Sequence, residues 1–293
     1  MISKMSRKIN VLVTGSSSGI GLATCRKLVQ DGHRVFGSVR KKEIGEAMEK
    51  EFGKKFSYLI FDVTSMDEML GAREKLAKYL NGQQLDVLVN NAAIVIAGPI
   101  ELLSTEKLRH QFEVNVIGVI HCIKVFLPFL ELPVQTRGRI INISSRGGRH
   151  AVPFFSPYHM SKFSIEALSD CARRELLLKN IDVVVVAPGE TPTKMWEKEL
   201  KTGFAEYQGT IYERSLSKIT SYLHQFSKEG LPVDTVAKTI CDAATTRNPN
   251  ARYIIDKKRW KYWLYGLLPT TFIDLAYKKN LGLNAENDPG IGN

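Results

Sequence analysis

The reading starts from VLVTGSSSGIG, residues 11–21. A short apolar run ends at Thr14-Gly15, three serines follow, and Gly19 and Gly21 open a segment, Ile20 to Gln30, whose apolar residues recur at helical spacing. Strand, tight turn, helix is the implied order. Glycines permit the turn and a close backbone approach, while the free amides and partial positive charge of a helix start suit a phosphate. A glycine-rich turn in this context marks a dinucleotide phosphate site rather than a merely tight connection. The residues placed against the cofactor are Gly15, Ser17, Ser18, Gly19, Ile20 and Gly21.

The same alternation continues along the chain. Ile9–Thr14, Arg34–Val39, Phe56–Phe61, Leu85–Asn90, Arg139–Ile143 and Asp182–Ala187 read as strands, nearly continuous apolar runs of the kind buried on both faces. Between them, Met66–Leu80, Thr105–Leu130 and Pro157–Lys179 repeat apolar residues at helical spacing. The expected fold is α/β: one Rossmann-type doubly wound parallel sheet with helices on both faces and a C-terminal helical extension. Residues 1–256 would form the catalytic domain and residues 257–293 an amphipathic extension. Ligands in such a sheet bind beyond the carboxyl ends of the strands.

Composition narrows the functional classes. The chain has 293 residues, 44% of them hydrophobic, enough for a real core. Cys25, Cys122, Cys171 and Cys241 lie far apart with no CxxC pair, which suggests neither disulfides nor zinc and points to a reducing, cytoplasmic setting. The basic start, MISKMSRKIN, leads into too short an apolar run for a signal peptide, and no run is expected to reach the ~18 apolar residues of a spanning helix. A formal charge of +11 invites nucleic-acid or membrane readings. Dispersed lysines and an anionic cofactor account for it better, because no zinc-finger spacing or aromatic RNA-binding motif is present. No nucleic-acid partner and no metal are expected; His110, His150 and His159 form no ligand grouping.

A second stretch, SPYHMSK at residues 156–162, places Tyr158 and Lys162 on one helical face. Alone the pair is unremarkable. With the spacing TGxxxGxG at residues 14–21, Asp62-Val63 in FDVT, NNAA at residues 90–93, Asn115 in FEVNVIG, Ser145 in INISS and PGETPT at residues 188–193, the chain resembles the short-chain dehydrogenase/reductase family over roughly residues 8–244. NNAA departs from the usual NNAG only in its last residue.

The resemblance implies roles. Asp62 and Val63 would contact the adenine, Asn91 and Ala92 would flank the cofactor, and Pro188, Gly189, Thr191 and Thr193 would hold the nicotinamide carboxamide. Tyr158 would exchange a proton with the carbonyl or alcohol oxygen, and Ser145 would position that oxygen. Lys162 would lower the tyrosine pKa and bind the nicotinamide ribose, while Asn115 would hold a water linking Lys162 to solvent. Regulators on this fold usually lose the tyrosine or lysine, and extended-branch epimerases show TGxxGxxG, so a dinucleotide sensor and an epimerase are the weaker readings. The family's long helices imply a homodimer or homotetramer.

Specificity is read at VFGSVRKK, where Val39 stands in the place of an NAD-selecting acid and Arg40 and Lys41 follow. No carboxylate there repels a 2′-phosphate, and Arg40 can grip one, so NADP(H) is expected over NAD(H), with carbonyl reduction the favoured direction. A lid over residues 194–233 contains Met195, Trp196, Phe204, Tyr207, Tyr212, Tyr222, Leu223 and Phe226. It suggests a lipophilic carbonyl or alcohol, steroid, retinoid or long-chain acyl, with the steroid or retinoid type ahead by overall resemblance and small xenobiotic ketones as the alternative. His150, between Ser145 and Tyr158, is expected to touch substrate. Asn142 fits a glycosylation pattern but falls on a buried strand. Finally, Trp260, Trp263, Leu264, Leu267 and Leu268 keep helical spacing between basic flanks before Pro269 breaks the run. Residues 259–280 could thus meet a membrane surface, cover the pocket or join subunits.

Overall fold

The computed structural model describes residues 7–131, 137–196, 204–257 and 267–284. Seven strands, β1 (Asn10–Val13), β2 (Arg34–Val39), β3 (Phe56–Ile60), β4 (Val87–Asn90), β5 (Gly138–Ile143), β6 (Ile181–Pro188) and β7 (Arg252–Ile255), form one parallel sheet in the order β3-β2-β1-β4-β5-β6-β7. The chain order reverses between β1 and β4, the switch point at which such sheets open a crevice.

Strand alternation sorts the core into two layers. Val11 and Val13 of β1 face helices α1 (Gly19–Gln30), α2 (Lys42–Phe52) and α8 (Val233–Thr245), packing with Cys25, Leu28, Val236 and Ile240. Leu12 faces the other side and meets α3 (Met66–Leu80) and α5 (Gly118–Leu130) through Leu76, Phe126 and Leu130. Each such fully buried side chain stabilises the fold by roughly 1.5–3 kcal/mol relative to exposure.

The predicted helix over Thr105–Leu130 is interrupted: α4 (Thr105–Phe112) passes through a π turn, Glu113–Ile117, into α5. The 26-residue stretch holds a window of mean hydropathy 1.7, long and apolar enough to cross a membrane by length and composition, which corrects the expectation that no run would be. Half of that window is buried within the fold, where Cys122, Val125, Phe126 and Leu130 pack on the sheet. Helix α6 (Ser156–Glu175) begins with Pro157 in its first turn and carries both Tyr158 and Lys162.

Beyond β6, helix α7 (Glu213–Glu229) and helix α9 (Thr270–Leu281) build a third apolar cluster on the site. Leu216, Ile219 and Leu223 of α7 pack with Val95, Phe154 and Phe155, and Leu281 of α9 is buried among them. Pro269 caps the start of α9. Trp260, Trp263 and Leu264 lie outside the described residues, while Leu267 and Leu268 are exposed.

Candidate active site

At the first strand exit the glycine loop is held by hydroxyl groups. Ser38 Oγ accepts from Gly15 N (2.9 Å), and Ser16 Oγ donates to Ser38 O (2.8 Å). Thr14 Oγ1 accepts from Asn91 N (2.9 Å) and Ala92 N (3.0 Å), and Asn91 Nδ2 donates to Thr14 O (2.9 Å) and Gly15 O (3.1 Å). The β1 and β4 exits are thereby bolted together across the switch point. Gly15 (φ +63°) and Gly19 (φ +55°) adopt the left-handed conformation, and a Cβ on Gly15 would lie 2.8 Å from Ala92 Cα. Thr14, Ser16 and Ser38 escaped the sequence reading because their role is to brace the turn from behind. Ala93 has no positive φ, so the departure from NNAG costs no backbone strain.

The PGETPT turn closes onto this loop. Thr193 Cγ2 would lie 3.3 Å from a Cβ built on Gly19, and Thr193 Oγ1 is buried with no hydrogen-bond partner among the described residues. An orphaned hydroxyl beside the glycine cradle fits a ligand amide at this position. Gly15 and Gly21 leave no room for a side chain against Ala92 and against Gly15 O and Asn91 Nδ2, so the turn stays tight enough for its amides to approach a phosphate. Gly189 and Thr191 are joined by a Thr191 Oγ1 to Gly189 O bond (3.1 Å).

The third group converges at the exits of β5 and α6. Ser145 caps a short 3-10 turn, its Oγ accepting from Gly147 N (3.0 Å), and it hydrogen-bonds the Tyr158 phenol. Lys162 is buried; its Nζ donates to Ile143 O (2.9 Å) and lies 5.8 Å from the Tyr158 ring centroid. Burial pushes the phenol pKa up to about 12 against the Ser145 hydrogen bond, and burial pulls the Lys162 ammonium down to about 8. The ammonium lies against the tyrosine ring, and burial outweighs the Ser145 hydrogen bond in setting the direction of the phenol's shift. That differs from the sequence expectation: helical spacing fixes a shared face, whereas desolvation depends on what covers it.

Asn115, in the π turn, is also buried. Its Oδ1 accepts from Ile94 N (2.9 Å), and its Nδ2 donates to Ile94 O and Ser161 Oγ (3.0 Å each). Both side-chain protons are thus committed within the protein. Asn142 is wholly buried and hydrogen-bonded to Asn90 and Ser169, which removes the glycosylation reading.

A cavity of about 90 Å³ opens above Ser145 and Tyr158, walled by Val152, Phe155, Trp196 and Leu223, with Arg146, His150, His159, Glu190 and Tyr222 at its polar side. Trp196 meets Tyr158 edge-to-face at 5.5 Å. His150 and His159 have lowered pKa values, first through burial and also through Arg146, and stay neutral at pH 7. His110 is on the surface, away from the site. Arg146 joins Glu190 (2.6 Å) and Asp256 (3.4 Å), and Tyr222 of α7 donates to Glu190, tying the lid to the floor. Phe154, φ +71°, is a bulky residue in the left-handed region whose carbonyl accepts from Gly98 N (2.7 Å). Such strain persists where surroundings enforce it. The side chain of Phe226 lies outside the described residues.

At the β2 exit, Val39 is buried and Arg40 is 77% exposed, with Asp62 3.6 Å away. Burial raises the Asp62 pKa, but Thr64 hydrogen bonds and Arg40 together hold it below the ordinary value. No carboxylate stands among residues 39–42 themselves; the Asp62 carboxylate, from the β3 exit, pairs with Arg40. Lys41 caps α2 and is exposed.

A doubly wound sheet with a glycine cradle at its switch point and a hydroxyl-lined pocket beside it defines a dinucleotide-dependent oxidoreductase. The chain belongs to the short chain dehydrogenase family, whose sequence profile matches residues 9–203. It is 36% identical over 274 residues to the NADPH-dependent 3-dehydrocapnine reductase of Ornithobacterium rhinotracheale, covering 92% of this chain and 96% of that one. It is 31% identical over 243 residues to the 3-ketodihydrosphingosine reductase of Bacteroides thetaiotaomicron, covering 83% and 86%. A short-chain dehydrogenase from Streptomyces avermitilis shares the fold, with a TM-score of 0.73 at 24% identity over 96% of this chain and all of that one. Like its family, the protein is an enzyme acting on alcohol or carbonyl groups of a small molecule with a nicotinamide dinucleotide.

Proposed function

We propose that the protein is an NADPH-dependent reductase of a lipophilic ketone, with a long-chain substrate preferred over a steroid or retinoid. The observation that carries it is the Tyr158 phenol hydrogen-bonded to Ser145 at the floor of an apolar pocket. Ser145 and Tyr158 hold the carbonyl oxygen, and Tyr158 gives it a proton. A phenol held neutral by burial is suited to act as the acid in this direction. Lys162, buried beneath the ring, steadies the charge left on the tyrosine. Bound NADPH supplies the hydride. Gly15, Ser17, Ser18, Gly19, Ile20 and Gly21 receive its pyrophosphate, Arg40 and Lys41 its 2′-phosphate, Asp62 and Val63 the adenine, Asn91 and Ala92 the ribose side, and Pro188 to Thr193 the carboxamide.

A cavity of about 90 Å³ holds little more than a carbonyl and its nearest carbons, since water occupies ~30 Å³ in the liquid. A chain can leave through the mouth beside α7; a rigid ring system requires the lid to shift. The relatives' names, 3-dehydrocapnine and 3-ketodihydrosphingosine reductase, favour the same lipid-like class. Residues 1–256 act as the catalytic domain, with peripheral membrane contact through residues 259–280 in a cytoplasmic enzyme. Subunits pair through α5 and α6.

The test follows NADPH oxidation at neutral pH with long-chain keto compounds, steroid and retinal carbonyls and small aromatic ketones, with NADH and Tyr158→Phe in parallel. The expected result is turnover of the long-chain ketones that prefers NADPH and falls about a hundredfold or more in the variant. Equal turnover in Tyr158→Phe overturns the mechanism, and nucleotide binding without any turnover moves the protein to a sensing role.

A further inference from the structure

At the amino-terminal ends of the strands, opposite the reaction site, lies a cleft of about 720 Å³ lined by Arg7, Lys8, Arg34, Lys54 and Lys55, together with Asp86 and uncharged polar groups. Its Asn10 and the cofactor loop's Gly15 stand at opposite ends of β1, some 16 Å apart at ~3.3 Å per residue. Asp86, the single carboxylate among its described lining residues, is already committed, taking Arg7 Nη2 (2.5 Å) and Asn10 N (2.7 Å). Five cations against one carboxylate leave four positive charges in excess.

The ordinary explanation is that cations collect where helices end. Lys8 Nζ does donate to Asp31 O (2.8 Å) at the end of α1. Three helix ends meet the cleft, those of α1, α2 with its following 3-10 turn, and α3, and each contributes about half a negative charge. Together they offset less than half of the excess. The cations also converge rather than splay: a methyl group on Gly32 would lie 2.5 Å from Lys8 Nζ and 3.6 Å from Lys55 Nζ, so the two ammonium groups are no more than about 6 Å apart. Like charges gathered around a cleft of this volume match one polyvalent anion.

We propose that this cleft binds a small, multiply charged phosphate compound, with Lys8 and Lys55 bridged by it and Lys54 and Arg34 at its flanks. The cofactor does not satisfy these cations, because the glycine loop is at the other end of the sheet. Five of the chain's basic residues are thereby given a common role.

Inorganic pyrophosphate is the probe, titrated calorimetrically into full-length protein saturated with NADPH so that the cofactor site is closed to it. One site per chain is expected, weakened roughly tenfold by Lys8→Ala or Lys55→Ala and unchanged by the distant Lys124→Ala, with NADPH affinity equal in all variants. Absence of binding, binding indifferent to Lys8→Ala and Lys55→Ala, or equal weakening by Lys124→Ala overturns the proposal. Co-sedimentation with vesicles of phosphatidic acid in neutral lipid identifies the source: loss of vesicle binding in the same variants assigns a lipid headgroup, and pyrophosphate binding without vesicle binding assigns a soluble phosphate.

Discussion

Lys162 is a buried cation whose one described hydrogen bond runs to a main-chain carbonyl. Its pKa falls to about 8 from an ordinary value of 10.5, so the unfolded chain binds the proton more tightly than the folded one. Stability contributed by this residue therefore rises with pH between about 8 and 10.5, and the full cost is present below 8. Lys162→Met should be more stable than the parent at pH 7 by roughly 3 kcal/mol, with the gap closing toward pH 10.5, and should lose turnover. Urea unfolding of both proteins without cofactor at pH 7 and pH 10 checks this; an equal gap at both values contradicts it. The Tyr158–Lys162 pair was legible only beside the other motifs, since its spacing fixes no more than a shared helical face. The pKa values were not, because they follow from Trp196, Phe155 and the sheet closing over the pair. Nor was Phe154 legible as a left-handed residue: nothing in VPFFSPY marks a turn that would need glycine.

Among elements, the glycine loop makes the sharpest prediction. A Cβ on Gly21 would lie 2.6 Å from Asn91 Nδ2, the group that joins the loop to the β4 exit. Gly21→Ala must displace that amide, and the expected outcome is NADPH binding about tenfold weaker or worse by calorimetry, with far-UV circular dichroism unchanged. Unaltered affinity would show that the loop does not cradle the cofactor. Six strands could be read to within two residues at either end because they are buried on both faces and carry unbroken apolar runs. β7, Arg252–Ile255, was missed: it is four half-buried residues at the sheet edge, following a long polar stretch. Helix α9 was not read as an element of its own, since a proline that ends one helical pattern can equally open the next. The π turn at Asn115 left no trace in the periodicity, being one extra residue inside a helix.

For the molecule as a whole, helix α6 carries Met160 and Phe163 on its outer face, 49% and 45% exposed, opposite the buried Ser161 and Lys162. Two large apolar groups one turn apart are what subunit pairing through this helix requires. Met160→Glu combined with Phe163→Lys is expected to lower the sedimenting mass to that of one chain; a parent protein that is already monomeric would dismiss pairing altogether. A doubly wound parallel sheet was visible in the sequence because apolar strands alternate with helical patterns throughout, but its strand order was not. The lid was visible only as a stretch of aromatics, since Leu281 and Ser215, joined by a Ser215 Oγ to Leu281 O bond (2.9 Å), come together from distant parts of the chain.

That bond has a bearing on how the protein is made. Every residue assigned to the nucleotide lies between Thr14 and Thr193, whereas the roof of the substrate pocket leans on α9, which leaves the ribosome after all of them. Chains fold from the amino end as they emerge. A nascent chain can therefore shape its nucleotide cradle while the pocket still lacks its buttress, and a substrate finds a finished receptacle only once α9 has followed.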